Sequence, residues 1–208
     1  MSDYLSEEEQ LARLRGWWER NGTYLIIGVV LVVAAVVGWR WYQNHLEERA
    51  LRASDLYAEF LAADDAARQS LGDEIIAAGS GTAYPAFVLY HRAQAAVTAE
   101  DPAAAQDALR QAVALASGRE LADTARLRLA RVLFAADSAD EALKVLNEIR
   151  AAGFLSLAAE LKGDIHLSRG ERALAHQSYV AARSHGSGEQ QRPVLEMKIA
   201  DTADTSDS

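Results

Sequence analysis

The segment Tyr24–Gly38, YLIIGVVLVVAAVVG, is nearly all aliphatic, and no charged side chain occurs from Asn21 to Trp39. A run without a polar face does not suit a helix on the surface of a water-soluble domain. At a rise of 1.5 Å per residue, Thr23–Trp39 forms a helix of roughly 26 Å, close to a hydrocarbon core of about 30 Å. Its ten Leu, Ile and Val side chains favour insertion by about 3–6 kcal/mol in total. The chain's four tryptophans sit in two pairs around this run: Trp17 and Trp18 before it, Trp39 and Trp41 after it. With Tyr24 and Tyr42 they form candidate anchors at the two membrane interfaces, where an apolar ring with a polar edge is at home. Arg40 has a stem long enough to reach the headgroups from the same level. These features predict an uncleaved signal anchor over residues 21–42. A cleaved leader fits less well: twenty residues precede the span, the apolar run is long, and RWYQNHLEER follows it in place of a small-x-small cleavage site. Ala34 and Gly38, four apart, form a small-xxx-small pair suited to packing against another membrane helix.

Orientation does not follow from charge. Arg13, Arg15 and Arg20 stand on one side, and Arg40, Arg49 and Arg52 on the other, so the positive-inside count is tied. Residues 1–20, with Ser6 and Glu9 spaced as a capping box and Leu11, Leu14 and Trp18 at helical spacing, predict a short amphipathic helix at the membrane surface. Beyond the span, residues 43–208 hold 17 Lys and Arg against 25 Asp and Glu, a balance of −8. So acidic a domain is a poor nucleic-acid ligand, because phosphate contacts require clustered cations. Cysteine is absent, which removes disulfides and thiolate metal sites.

The predicted fold class is all-α: a single N-terminal transmembrane helix followed by a tetratricopeptide-like solenoid of helical hairpins over residues 43–185, with residues 186–208 as a partly disordered extension. Helices are expected near 43–63, 65–78, 82–99, 102–117, 119–136, 139–151, 154–168 and 171–184. The first carries the stripe Leu46, Ala50, Ala53, Leu56, Tyr57 and Phe60. Asp101–Pro102 marks a helix start, with Asp as cap and Pro in the first turn. GSGT at 79–82 reads as an inter-helix turn. Three hairpins share a pattern. Ala105 precedes Leu109 by four, Ala142 precedes Leu146 by four, and Ala175 precedes Tyr179 by four. Twelve residues before each alanine stands another small residue: Ala93, Ala130 and Gly163. The alanines are 37 and 33 residues apart, bracketing the 34-residue tetratricopeptide period. The physical reason is steric: antiparallel helices approach closely only where a small side chain faces the partner. His166 and Gly170 complete the pattern in the last repeat, His166 as a buried packing residue.

No catalytic, cofactor or metal site is expected. The histidines His45, His91, His166, His176 and His185 include no i,i+3 or i,i+4 pair, and no H-E-x-x-H occurs. Asp164 and His166 point to different sides of a helix and do not form a dyad. GSGT lacks the lysine and the preceding strand of a phosphate loop. NGT at 21–23 matches a glycosylation acceptor by chance, since it abuts the span.

Several stretches together resemble one family. They are NGTYLIIGVVL with GWRWYQ at the anchor, LRLARVLF at 127–134, DSADEALKVLNEI at 137–149, LKGDIHLSRG at 161–170 and LEMKI at 195–199. On these residues the chain is similar to the ancillary subunits of the SecYEG translocon. The resemblance implies a non-catalytic, single-pass protein of the bacterial inner membrane, with a cytoplasmic N-terminus and a periplasmic domain. It further implies association with the translocon, with a membrane-anchored periplasmic chaperone of the prolyl-isomerase class, and with unfolded secreted chains. Membrane lipid is then the remaining partner, with no nucleic acid and no small-molecule substrate. The repeats are richer in alanine than the family pattern, and Tyr179 stands where the family often has Trp. The alternative from another class is a membrane-anchored regulator that sequesters a signalling protein or assembles another envelope complex.

Overall fold

The computed structural model describes residues 7–186 and 192–203. Ser6 of the expected capping box, the connection 187–191 and the tail 204–208 lie outside the described residues. Those described form nine α-helices and no strand: α1 Glu7–Ala62, α2 Asp65–Ala78, α3 Tyr84–Thr98, α4 Pro102–Leu115, α5 Arg119–Ala135, α6 Ala139–Leu146, α7 Ala152–Ser168, α8 Arg172–His185 and α9 Pro193–Thr202. The chain divides into two compact units, residues 1–49 and 50–208. The amphipathic segment, the apolar run and the first domain helix all fall within α1, Glu7–Ala62. No Pro or Gly-rich break separates them, and helix propagation adds a hydrogen bond per residue at little cost once begun.

In the second unit each helix packs on its sequence neighbour, and α3, α5 and α7 touch in succession. The main core runs through α3–α7 and includes Leu89, Leu109, Leu133, Leu146 and Ile165. A satellite cluster of Phe60, Ile75 and Val88 joins the end of α1 to α2 and α3. At the other end Tyr179, Ala182 and Leu195 join α8 to α9. Of the predicted stripe on α1, Ala53 and Phe60 are buried, Leu56 and Tyr57 half-buried, and Leu46 and Ala50 exposed.

The hairpin turns repeat more faithfully than the side chains. Each first helix ends on a residue with positive φ: Glu100 (56°), Asp137 (58°) and Gly170 (74°). The next amide closes the same bond back five residues, Asp101 to Ala96, Ser138 to Leu133 and Glu171 to His166, each at 2.9 Å. This is the Schellman arrangement that satisfies the last helical carbonyls. Glu100, Asp137 and Gly170 are 37 and 33 residues apart, the register of the alanines. Only the last uses glycine; Glu100 and Asp137 adopt the left-handed conformation at a cost of order 1–2 kcal/mol. Asp64 and Asp101 cap α2 and α4, their Oδ1 atoms accepting from Ala67 and Ala104 at 2.9 Å.

Two elements differ from expectation. The helix expected over 139–151 stops at Leu146, because the fully buried Asp123 of α5 captures the amides of Arg150 (2.9 Å) and Ala151 (2.7 Å). Those amides serve a carboxylate and not a helical ladder. Within the expected extension, residues 193–202 form α9, which docks through the buried Leu195 and a set of ion pairs.

Candidate functional site

The apolar run keeps its surface outward. Leu25, Ile26, Val30, Leu31 and Val37 are exposed along α1, and this is the one helix among the described residues long and apolar enough to cross a membrane. Trp17, Trp18, Tyr24, Trp39, Trp41 and Tyr42 are all exposed, as is Arg40. At the N-terminal end Trp18 lies over Gly22, where an added Cβ would sit 3.1 Å from the indole. Asn21 returns its side-chain amide to the Trp17 carbonyl at 3.0 Å. At the other end Trp41 stacks on His45 with ring centroids 5.8 Å apart. Ala34 is exposed, and a Cβ built on Gly38 meets nothing within 4 Å.

In the hairpin unit most of the repeat residues lie in the interior. Ala93, Ala105, Ala130, Ala142 and Ala175 are buried, as are Leu109, Leu146 and Tyr179. Gly163 makes the closest approach: a Cβ there would lie 2.3 Å from the Tyr179 ring, so only glycine fits. His166 is half-buried and pairs through Nδ1 with Glu171, at the turn where Gly170 supplies its positive φ.

Two networks escaped the sequence reading. Asp123 also receives Arg126 at 2.8 Å. Burial alone would raise its carboxyl, but the Ala151 and Arg150 amides and the Arg126 guanidinium outweigh that and hold it below the usual carboxylate range. Around α9, Lys198 donates to Asp164 at 2.7 Å and to Glu160 at 3.1 Å, and Arg192 pairs with Glu160. Tyr179 donates its hydroxyl to Asp164 at 2.8 Å. Burial, then this bond, pushes the Tyr179 hydroxyl well up. Lys198 is also raised: burial opposes its charge, but Asp164 and Glu160 together prevail. His176 donates from Nδ1 to the Ile199 carbonyl at 3.2 Å. The sequence signal for these contacts was only an isolated LEMKI; partners 34 and 38 residues away leave no local period.

Among the described residues, grooves on the hairpin unit include two with apolar and cationic lining. One, of about 340 Å³, lies between the first helices α3 and α5, with Tyr90, Val97, Arg128, Arg131 and Val132 on its walls. Tyr90 donates to the Leu121 carbonyl at 2.7 Å, and the Arg128 guanidinium sits 4.4 Å above its ring. The other, of about 430 Å³, lies where α6 stops short, against α7 and α8. Among the described residues no group of three His, Asp or Glu is placed to hold a metal ion.

Comparison with known proteins assigns the family. The tetratricopeptide repeat-like domain family matches residues 15–204. The chain is 31% identical over 202 residues to a Haemophilus influenzae protein named ancillary SecYEG translocon subunit, covering 96% of this chain and 98% of that one. The chain belongs to this tetratricopeptide repeat-like family of ancillary translocon subunits. The subunit of the same name from Aggregatibacter actinomycetemcomitans is 31% identical, over 92% of this chain and 96% of that protein. The one from Escherichia coli K12 is 30% identical, over 96% and 98%. The similarity thus runs through both the apolar helix and the hairpins of this family member. No solved structure matches the chain.

Proposed function

We propose that the chain is an ancillary subunit of the SecYEG translocon, held in the bacterial inner membrane by residues 21–42. Its N-terminus is cytoplasmic and its hairpin unit periplasmic. The work is non-catalytic. The apolar span tethers the unit beside the channel, which raises its local concentration around emerging chains. The helical hairpins supply extended surfaces for a membrane-anchored periplasmic chaperone of the prolyl-isomerase class and for unfolded secreted segments. Trp17, Trp18, Trp39 and Trp41 fix the depth of the span, and Ala34 with Gly38 offers a close-packing face to a translocon helix. The observation that carries this reading is the end-to-end similarity to three proteins of that name. An outward-facing apolar helix at the matching end supports it.

The test is photocrosslinking in native membranes from positions flanking Trp41, with identification of the captured proteins. Capture of translocon subunits is expected. Capture of other proteins alone, with normal amounts of this chain in the membrane, overturns the reading. A C-terminal alkaline phosphatase fusion is expected to be active, and an inactive fusion of full length overturns the topology.

A further inference from the structure

The groove left by the short α6 is lined by Arg150, Lys162 and His185, by the half-buried Leu155 and Ala181, and by Leu146 and Ile149, which are themselves almost fully buried. Among the described residues no acidic side chain lines it. Elsewhere the hairpin unit pairs its cations readily: Arg92 with Asp73, Arg126 with Asp123 and Glu148, Arg169 with Asp140, Lys198 with Glu160 and Asp164. Lys162 is half-buried on α7 and forms no ion pair or hydrogen bond among the described residues. Burial, and then the neighbouring Arg150 charge, lowers its ammonium below the usual lysine value. Two cations thus line one groove in a unit that carries an acidic excess. A half-buried charge without a partner costs stability, and a bound anion removes that cost.

The backbone sets which anion fits. Arg150 is fixed in place: its guanidinium donates to the Asn147 carbonyl and to the Ile149 carbonyl at 3.0 Å, and its amide goes to Asp123. The Ala151 amide at the start of α7 is also held by Asp123. These amides are therefore not free to cradle a phosphate in the manner of an open helix N-terminus. What remains is the Lys162 ammonium and the free edge of Arg150, beside Leu155, Ala181 and the polar Gln177 and Ser178. That combination suits a carboxylate with aliphatic neighbours.

We infer that the α6–α7–α8 groove binds an extended peptide segment bearing a carboxylate side chain flanked by aliphatic residues, with Lys162 as the carboxylate's partner and the half-buried Leu155 and Ala181 as the apolar contacts. This inference rests on reading the hairpin unit as a protein-binding scaffold and specifies the chemistry of one of its ligands. Asp123 acts as a positioning residue, since it ends α6 early and orients Arg150.

The test uses the full chain in lipid nanodiscs and fluorescence anisotropy with a fluorescein-labelled octapeptide of alternating Leu and Glu. The same peptide with Gln for Glu is expected to bind about tenfold more weakly, as is the Glu peptide to Lys162→Met. Lys162→Met is expected to melt no lower than the parent, because it removes an unpaired charge; that separates a ligand role from a structural one. Gln177→Glu, which places a competing carboxylate in the groove, weakens binding similarly. Equal binding of the Glu and Gln peptides, unchanged binding by Lys162→Met, or displacement by inorganic phosphate at the peptide's own concentration overturns the inference. These results come from purified protein. They stand apart from translocon crosslinking near Trp41, so either conclusion can fail alone.

Discussion

Gly38 and Gly163 both sit in helices at positions where small residues permit close packing, yet their surroundings are opposite. A Cβ on Gly38 meets nothing within 4 Å; one on Gly163 would lie 2.3 Å from Tyr179. The contrast extends to the apolar residues around them. Val30 and Leu31 are exposed, whereas Leu109 and Leu133 are fully buried. The same side-chain chemistry therefore serves two solvents. In the hairpin unit, burial against other helices removes apolar surface from water, worth about 1.5–3 kcal/mol for each large side chain. Around the apolar run the described chain covers almost nothing, and lipid is the cover that the proposed function supplies.

The largest expected effect breaks the hairpin unit alone. Asp123→Ala removes an acceptor for two amides and for Arg126, and should lower the unit's stability by about 3–5 kcal/mol while resistance to carbonate extraction stays intact. Urea unfolding followed by circular dichroism, beside extraction of the same membranes, checks both halves. The converse is Val30→Asp, which costs about 3 kcal/mol of insertion at the span's centre and leaves the hairpin unit's urea midpoint unchanged. Gly163→Ala should destabilise by about 1–3 kcal/mol by forcing the Tyr179 ring away, and Gly38→Ala should leave the urea midpoint where it is. Equal responses at the two glycines would remove the contrast.

The smallest effect concerns pH and the two networks. The Asp123 carboxyl is lower folded than unfolded, so its contribution is complete above about pH 4 and disappears as pH falls through the lowered value. Tyr179 and Lys198 are raised on folding, so theirs is complete below about pH 10 and disappears as pH rises through the raised values. Acid should therefore loosen the α5–α7 junction first and alkali the docking of α9. Tyr179→Phe, costing about 1 kcal/mol, should weaken the alkaline step without moving the acid one. Hydrogen exchange resolved to α7 and α9 at both extremes measures this.

Much of the fold was legible because its causes are local. The absence of charge between Asn21 and Trp39 is enough to specify a helix for lipid, and Asp101–Pro102 starts α4 by cap chemistry that needs no distant partner. The alanine register placed the hairpins because small residues recur wherever two helices meet. The candidate sites were much less legible. Glu100 carries no sign of a left-handed turn and Asp137 only a weak one, since Gly170 alone has the residue type that the conformation strongly favours.

The sequence by itself determined an apolar helix of membrane-spanning length and the periodic helical hairpins after it. Both follow from side-chain type and spacing along one helix. The tertiary structure decided where α6 ends, that residues 193–202 pack as α9, and that Arg150 and Lys162 line one groove with no carboxylate among the described residues. Those outcomes depend on groups about 12 to 38 residues apart, Asp123 with Ala151 and Glu160 with Lys198 among them. Coulomb and hydrogen-bond energies act through space, and only folding brings their partners within reach.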